Sequence, residues 1–104
     1  MSEDSFQRFV VDQLTRLGVV TARAMFGGYG LYHHDLFFGI IHGGRLYLKT
    51  DKESRAGYLE RGMRPFRPNR RQTLRTYYQV PADVLEDDEA LVEWARKSLR
   101  AGGG

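Results

Sequence analysis

The sequence predicts an α+β fold, a two-layer sandwich of an antiparallel sheet with helices on one face, in the order α-β-β-β-α-β-β-α. Three observations lead there. The two ends of the chain space their apolar residues three and four apart, while the middle breaks into short β-branched and aromatic runs separated by glycine and histidine. The helical segments alternate with hairpins, and a strict βαβ repeat is absent.

Phe6, Phe9, Val10, Gln13, Leu14 and Leu17 follow helical spacing, with Arg8, Asp12, Thr15 and Arg16 on the solvent side. Asp4 with Gln7 has capping-box spacing at its start, and Gly18 suits the left-handed position that closes it. Three strands follow, at Leu31-Tyr32, Leu36 to Ile41 and Leu46 to Leu48. His33-His34-Asp35 and His42-Gly43-Gly44 are short enough to be the turns between them. A second helix opens at Thr50, with Glu53 as its capping partner, Ala56 and Leu59 inward and Gly62 as a stop. Gly57 weakens it by about 1 kcal/mol relative to alanine. Pro65 and Pro68 confine the next stretch to an edge strand or loop, and Leu74 to Val80 can form a further strand, so two short strands are expected here. Pro81 opens a helical turn, and Leu91, Trp94, Ala95 and Leu99 define the last helix, with acids at its start and Arg96, Lys97 and Arg100 near its end.

At 104 residues and 12.0 kDa the chain supports one modest core. It is predicted as a single domain over 1–100, with the glycine-rich 101–104 as a flexible tail. Cysteine is absent, which excludes disulfides, thiolate nucleophiles and the commonest structural zinc sites. The acidic start and the lack of a long apolar run point to a cytoplasmic chain, with no membrane contact.

Charge is unevenly placed. Residues 1–60 balance, whereas Arg61, Arg64, Arg67, Arg70, Arg71 and Arg75 stand in a segment without acids. Asp83, Glu86, Asp87, Asp88, Glu89 and Glu93 then form an acidic run. Arg64, Phe66, Arg67, Arg70, Arg71, Arg75 and Tyr77 mix guanidinium forks with rings, as a phosphate-tracking and base-stacking surface would. With alternate residues on opposite faces, three or four of those arginines would share one groove. The acidic run offers the simpler, competing reading, in which it neutralises the arginines within the fold or across a subunit boundary.

Catalytic constellations are thin. No serine sits in a nucleophile elbow, and the paired carboxylates suit capping better than acid–base work. His33 and His34 are adjacent and would point to opposite faces of a strand, so no metal and no cofactor is expected. A hydrolase or transferase using His33, His34 or His42 ranks last. Gly27-Gly28-Tyr29-Gly30 precedes a strand and not a helix, so it is no phosphate loop; its glycines are expected to let a strand bend or a backbone or ring come close. Phe37, Phe38, Tyr47, Tyr77, Tyr78 and Trp94 exceed what one side of a small sheet needs, so some belong on its other face, a setting for self-association.

The run Arg23-Ala24-Met25-Phe26-Gly27-Gly28-Tyr29-Gly30-Leu31-Tyr32 carries a further signal. With Gly44-Arg45-Leu46-Tyr47-Leu48-Lys49, Tyr77-Tyr78-Gln79-Val80-Pro81 and the acidic lead into Leu91, Val92 and Trp94, it resembles the amino-terminal domain of the TfoX (Sxy) competence-regulator family. The resemblance extends from about Phe6 to Leu99. It implies an α+β domain similar to secretion-chaperone-like folds that pair as dimers, with motif positions Arg23, Met25, Phe26, Gly27, Gly28, Tyr29, Gly30 and Tyr47. Family namesakes promote DNA-uptake genes with the cyclic-AMP receptor protein, and they carry a second, carboxy-terminal domain not seen in this sequence. The function expected is therefore a non-enzymatic regulatory module, a homodimer that acts through contacts with the transcription machinery. Direct nucleic-acid binding through the Arg61–Arg75 segment is the alternative.

Overall fold

The structure, a computed structural model, describes residues 3–25 and 27–103. Helix α1 (Glu3–Gln13) leads through a 3-10 turn at Thr15–Leu17 into four strands, β1 (Val20–Met25), β2 (Gly28–His33), β3 (Leu36–His42) and β4 (Arg45–Lys49). Helix α2 (Lys52–Glu60), strands β5 (Pro65–Asn69) and β6 (Gln72–Gln79), the short α3 (Ala82–Glu86) and α4 (Asp88–Gly103) complete the chain. The strands form one antiparallel sheet in the order β1-β2-β3-β4-β6-β5.

The α+β class and the two-layer plan hold, with four strands before α2 where three were expected. The added strand is β1. It lies at the sheet edge, and its residues are half-buried or exposed with none in the core, so it lacks the apolar run that marks its neighbours. Gly28 and Gly30 lie inside β2, where they admit close neighbours. A Cβ on Gly28 would stand 2.0 Å from the Ile41 carbonyl oxygen, and one on Gly30 would stand 2.7 Å from Met25 Cε and 2.9 Å from Phe37 Cε1.

One face of the sheet carries the main core. Phe6 and Val10 of α1, Leu14 just after it, and Leu91, Val92 and Ala95 of α4 pack on Leu31, Phe38, Ile41, Leu46, Leu48 and Tyr78. A bulge makes this possible for Phe38, because Leu31 pairs with Gly39 and Tyr32 with Phe37, which leaves Phe38 as the extra residue. The other face bears a smaller cluster of Ile40, Tyr47, Phe66 and Tyr77 with Phe37 and Leu74, all from strands. No helix of the described residues contributes to it.

Local details differ from the sequence reading at the helix ends. Asp4 lies within the first turn of α1, where its carboxylate accepts a hydrogen bond from the Tyr29 phenol. Gly18, at φ 116°, closes the 3-10 turn that prolongs α1, with its N–H donated to the Thr15 carbonyl. The cap of α2 is Asp51 with Ser54, one residue beyond the expected Thr50 and Glu53. Ser54 N–H donates to Asp51 Oδ1 at 2.7 Å, and Asp51 N–H donates to Ser54 Oγ at 3.0 Å. Thr50 is buried and donates its hydroxyl to the Thr76 carbonyl at 2.9 Å. Its fixed place in the core is why the next residue caps. Tyr58, not Ala56 or Leu59, turns inward from α2. Helix α4 runs on to Gly103, so Ala101, Gly102 and Gly103 are helical where a tail was expected; Gly102 lies against Leu36, which leaves a Cβ there only 3.3 Å from Leu36 Cδ1.

Candidate interaction surface

Strand alternation selects the residues of the helix-free face. Arg45, Tyr47 and Lys49 alternate along β4, and Tyr47 pairs with Ile40 on one side and Gln79 on the other. The rings on this face form a chain. Tyr32 lies 5.2 Å from Phe37 and Phe37 lies 5.5 Å from Tyr77, while Tyr47 and His42 approach Phe66 at 4.8 and 5.4 Å. Cations cover the rings, with Arg23 Cζ 4.8 Å over Tyr32 and Lys49 Nζ 5.2 Å over Tyr77. Burial raises the Tyr77 phenol above its ordinary pKa, with the neighbouring Tyr32 adding to the shift.

Charge divides the molecule by layer. None of the thirteen carboxylates falls in a strand; twelve lie in the helices and the residues that lead into them, and Asp35 sits in the β2–β3 turn. Half of the sixteen lysines and arginines belong to the strands, the β5–β6 turn and the lead into β5, from Arg23 to Arg75. A depression of about 320 Å³ opens where β4, β6 and β5 meet, and Arg45, Arg64 and Arg67 line it with Tyr47, Thr73 and Gln79. Among the described residues no carboxylate lines it.

Within the chain, among the described residues, the acidic run leaves most of the arginine segment unneutralised. Among the described residues its one ion pair with that segment joins Arg61 Nη1 to Asp83 Oδ2 at 2.5 Å, which holds the Asp83 carboxyl below its usual range. Three of its carboxylates serve the helix layer instead, since Asp88 and Glu89 face Arg16 at 3.9 and 3.7 Å, and Glu93 faces Arg96 at 3.5 Å. Arg67 Nη2 donates to the Arg70 carbonyl at 2.8 Å, and Arg71 N–H to Asn69 Oδ1 at 2.9 Å, so two members of the segment shape the β5–β6 turn. Arg64, Arg70, Arg71 and Arg75 are exposed. The expected stackers are not accessible, because Phe66 is 2% and Tyr77 8% exposed within the smaller cluster. Tyr32 and Phe37 are the half-buried rings of this face. Sequence reasoning passed over Tyr32 and Arg45 as surface residues, although the alternation of Arg45, Tyr47 and Lys49 was a signal that they share a face.

The motif around residues 23–30 builds the β1–β2 hairpin and its contacts. Gly27 holds φ 76° in the turn, Met25 fills the space that Gly30 leaves, and the Tyr29 hydroxyl ties β2 to α1 at Asp4, a bond that raises the phenol's pKa. Tyr47 packs within the smaller cluster, and Phe26 lies outside the described residues. The histidines do not converge. His33 Nε2 contacts the Leu17 carbonyl at 3.1 Å, and His34 stands edge-on to it at the β2–β3 turn, whereas His42 is at the opposite end of β3. A second depression of about 250 Å³ lies between α2 and α4, lined by Asp51, Glu53, Ser54, Tyr58, Trp94, Lys97 and Arg100 among others. Asp51 and Ser54 are spent on the α2 cap, and that bonding holds the Asp51 carboxyl below its ordinary pKa.

An edge strand tied to its hairpin by a Gly-Gly-Tyr-Gly run, on an antiparallel sheet with one bare face, is the arrangement these residues build. The chain belongs to the TfoX N-terminal domain family, whose match covers residues 12–102. It is also 35% identical, over 103 residues and 90% of its length, to the DNA transformation protein TfoX1 of Aliivibrio fischeri (strain ATCC 700601 / ES114). The aligned part is 47% of that relative, so the chain spans about half its length.

Proposed function

We propose that this chain is a non-enzymatic regulatory module of DNA transformation that acts through protein–protein contacts in the cytoplasm. The observation that supports it most is the likeness to a DNA transformation protein along nine-tenths of the chain. The geometry suggests where contact is made. β1 pairs with β2 alone, so its outer backbone groups are free to accept another strand, and Val19 beside it is 74% exposed. The opposite edge, β5, carries Pro65 and Pro68, which lack the N–H groups that such pairing needs. A second copy joined edge to edge at β1 makes the homodimer, and a component of the transcription machinery is the heterologous partner.

Two measurements test this. Light scattering is expected to give twice the 12.0 kDa chain mass, with Val19→Glu weakening the dimer about 10-fold. A chimera that carries this chain in place of the matching half of the Aliivibrio fischeri relative is expected to restore transformation in a strain lacking that relative. A chimera present at normal levels without transformation overturns the regulatory reading, and a monomer at all concentrations removes the dimer.

A further inference from the structure

We propose that the helix-free face of the sheet binds a single strand of nucleic acid, with a phosphate seated among Arg45, Arg64 and Arg67 and a base stacked at Tyr32 and Phe37. This surface is separate from the β1 edge, and the proposal stands without the protein-contact reading.

The seat comes from three places in the chain. Arg45 opens β4, Arg64 precedes β5 and Arg67 lies within it, yet all three line the same depression. Thr73 and Gln79 add polar side chains to the wall. Three guanidinium groups in one hollow repel one another unless an anion joins them, and among the described residues no carboxylate lines the hollow to do so. The planar fork of arginine matches a phosphate in two-point contact.

Two features select a nucleic-acid strand over an acidic protein. The apolar side chains that would anchor a protein, Ile40, Tyr47, Phe66 and Tyr77, are already packed against each other. What remains are the half-buried rings Tyr32 and Phe37, with the Arg23 guanidinium over Tyr32, and a base stacking at their exposed side would have a cation beside it. The seat and the rings lie toward opposite ends of the face. From Phe37 to His42, whose strand partner is Arg45, β3 spans five residues or about 17 Å, room for several nucleotides.

The test is fluorescence anisotropy with a labelled oligodeoxynucleotide of about 12 residues, a length within the usual site sizes for single-strand binders. One phosphate neutralised in the seat gives a slope of about −0.7 for log affinity against log salt, so raising salt from about 50 to about 200 mM is expected to weaken binding about 3-fold. Arg45→Ala with Arg64→Ala and Arg67→Ala is expected to lose 10-fold or more and to flatten that slope, and Tyr32→Ala to lose about 5-fold without changing it. Thermal melting checks that the triple variant folds; if it does not, Arg45→Ala alone is read for a loss of about 3-fold. Arg96→Ala with Lys97→Ala, on α4, serves as the comparison and is expected to leave binding unchanged. The proposal is overturned by no saturable binding at about 50 mM salt, or by an equal loss in the α4 variant. It is also overturned if inorganic phosphate at about 1 mM displaces the oligonucleotide completely, or if polyglutamate binds as tightly, because the seat would then serve a free anion or an acidic protein.

Discussion

Glycine serves opposite purposes within three positions of this chain. At Gly28 a side chain would meet the Ile41 backbone, which cannot move without breaking the β2–β3 ladder. Gly28→Ala is expected to cost about 3 kcal/mol or more, measured by urea unfolding. At Gly27 nothing lies within 4 Å of a Cβ, but φ is 76°, so Gly27→Ala is expected to cost only about 1 kcal/mol. The glycine run was legible in the sequence as a place of close approach. Which glycine met backbone and which met a ring was not, because that depends on the register between β2 and its neighbours. Tyr58 gives a second test at this scale. It is 3% exposed, its phenol has no hydrogen-bond partner among the described residues, and burial pushes its pKa up. Ser98, whose Oγ donates to the Trp94 carbonyl at 3.3 Å, lies close enough to lower that shift in part. Tyr58→Phe is therefore expected to be neutral or to stabilise by up to about 1 kcal/mol near pH 7. A phenol whose folded pKa lies above its ordinary 10.0 contributes stability below that pH and loses it as pH rises through the folded value. The variant is expected to flatten the alkaline loss of stability, and an unchanged alkaline limb would contradict this.

At the scale of elements, pattern and burial agreed where a segment faces the core on one side only. Helix α1 and the residue after it place Phe6, Val10 and Leu14 inward as the spacing predicts, and Leu14 is fully buried. Leu14→Ala is expected to cost about 3 kcal/mol by chemical unfolding. Strand β1 escaped the sequence reading because an edge strand needs no apolar run, and α2 was displaced by one residue because Thr50 is claimed by the β6 carbonyl at Thr76. Neither fact is local. Acid stability belongs to the elements too. Asp51, which caps α2, and Asp83, which pairs with Arg61, both ionise below the ordinary 3.8 in the folded chain. Their contribution is present above pH 3.8 and is lost as pH falls through the lower folded values. The melting temperature is expected to drop across that window, and Asp83→Asn is expected to make the drop shallower.

Taken whole, the molecule is a sandwich whose layers differ in charge as well as in secondary structure. The linear sequence showed a basic segment beside an acidic one and suggested that they cancel. Folding separates them, since the acids start helices while the arginines enter strands and turns, and Arg61 with Asp83 is the one described ion pair between the two segments. Arg45 joins the surface from a distant part of the chain, which is why the candidate seat was not legible as a motif. The family resemblance was legible, because the hairpin motif is contiguous in sequence.

The most direct test of the layered account is to map backbone amide shifts by NMR while the single-stranded oligonucleotide is added. The expected result is that perturbed amides fall in β2 to β6, centred on Arg45, Arg67 and the Tyr32–Phe37 hairpin, with α1 and α4 unmoved. Shifts concentrated on α4, or spread evenly over both layers, would contradict it.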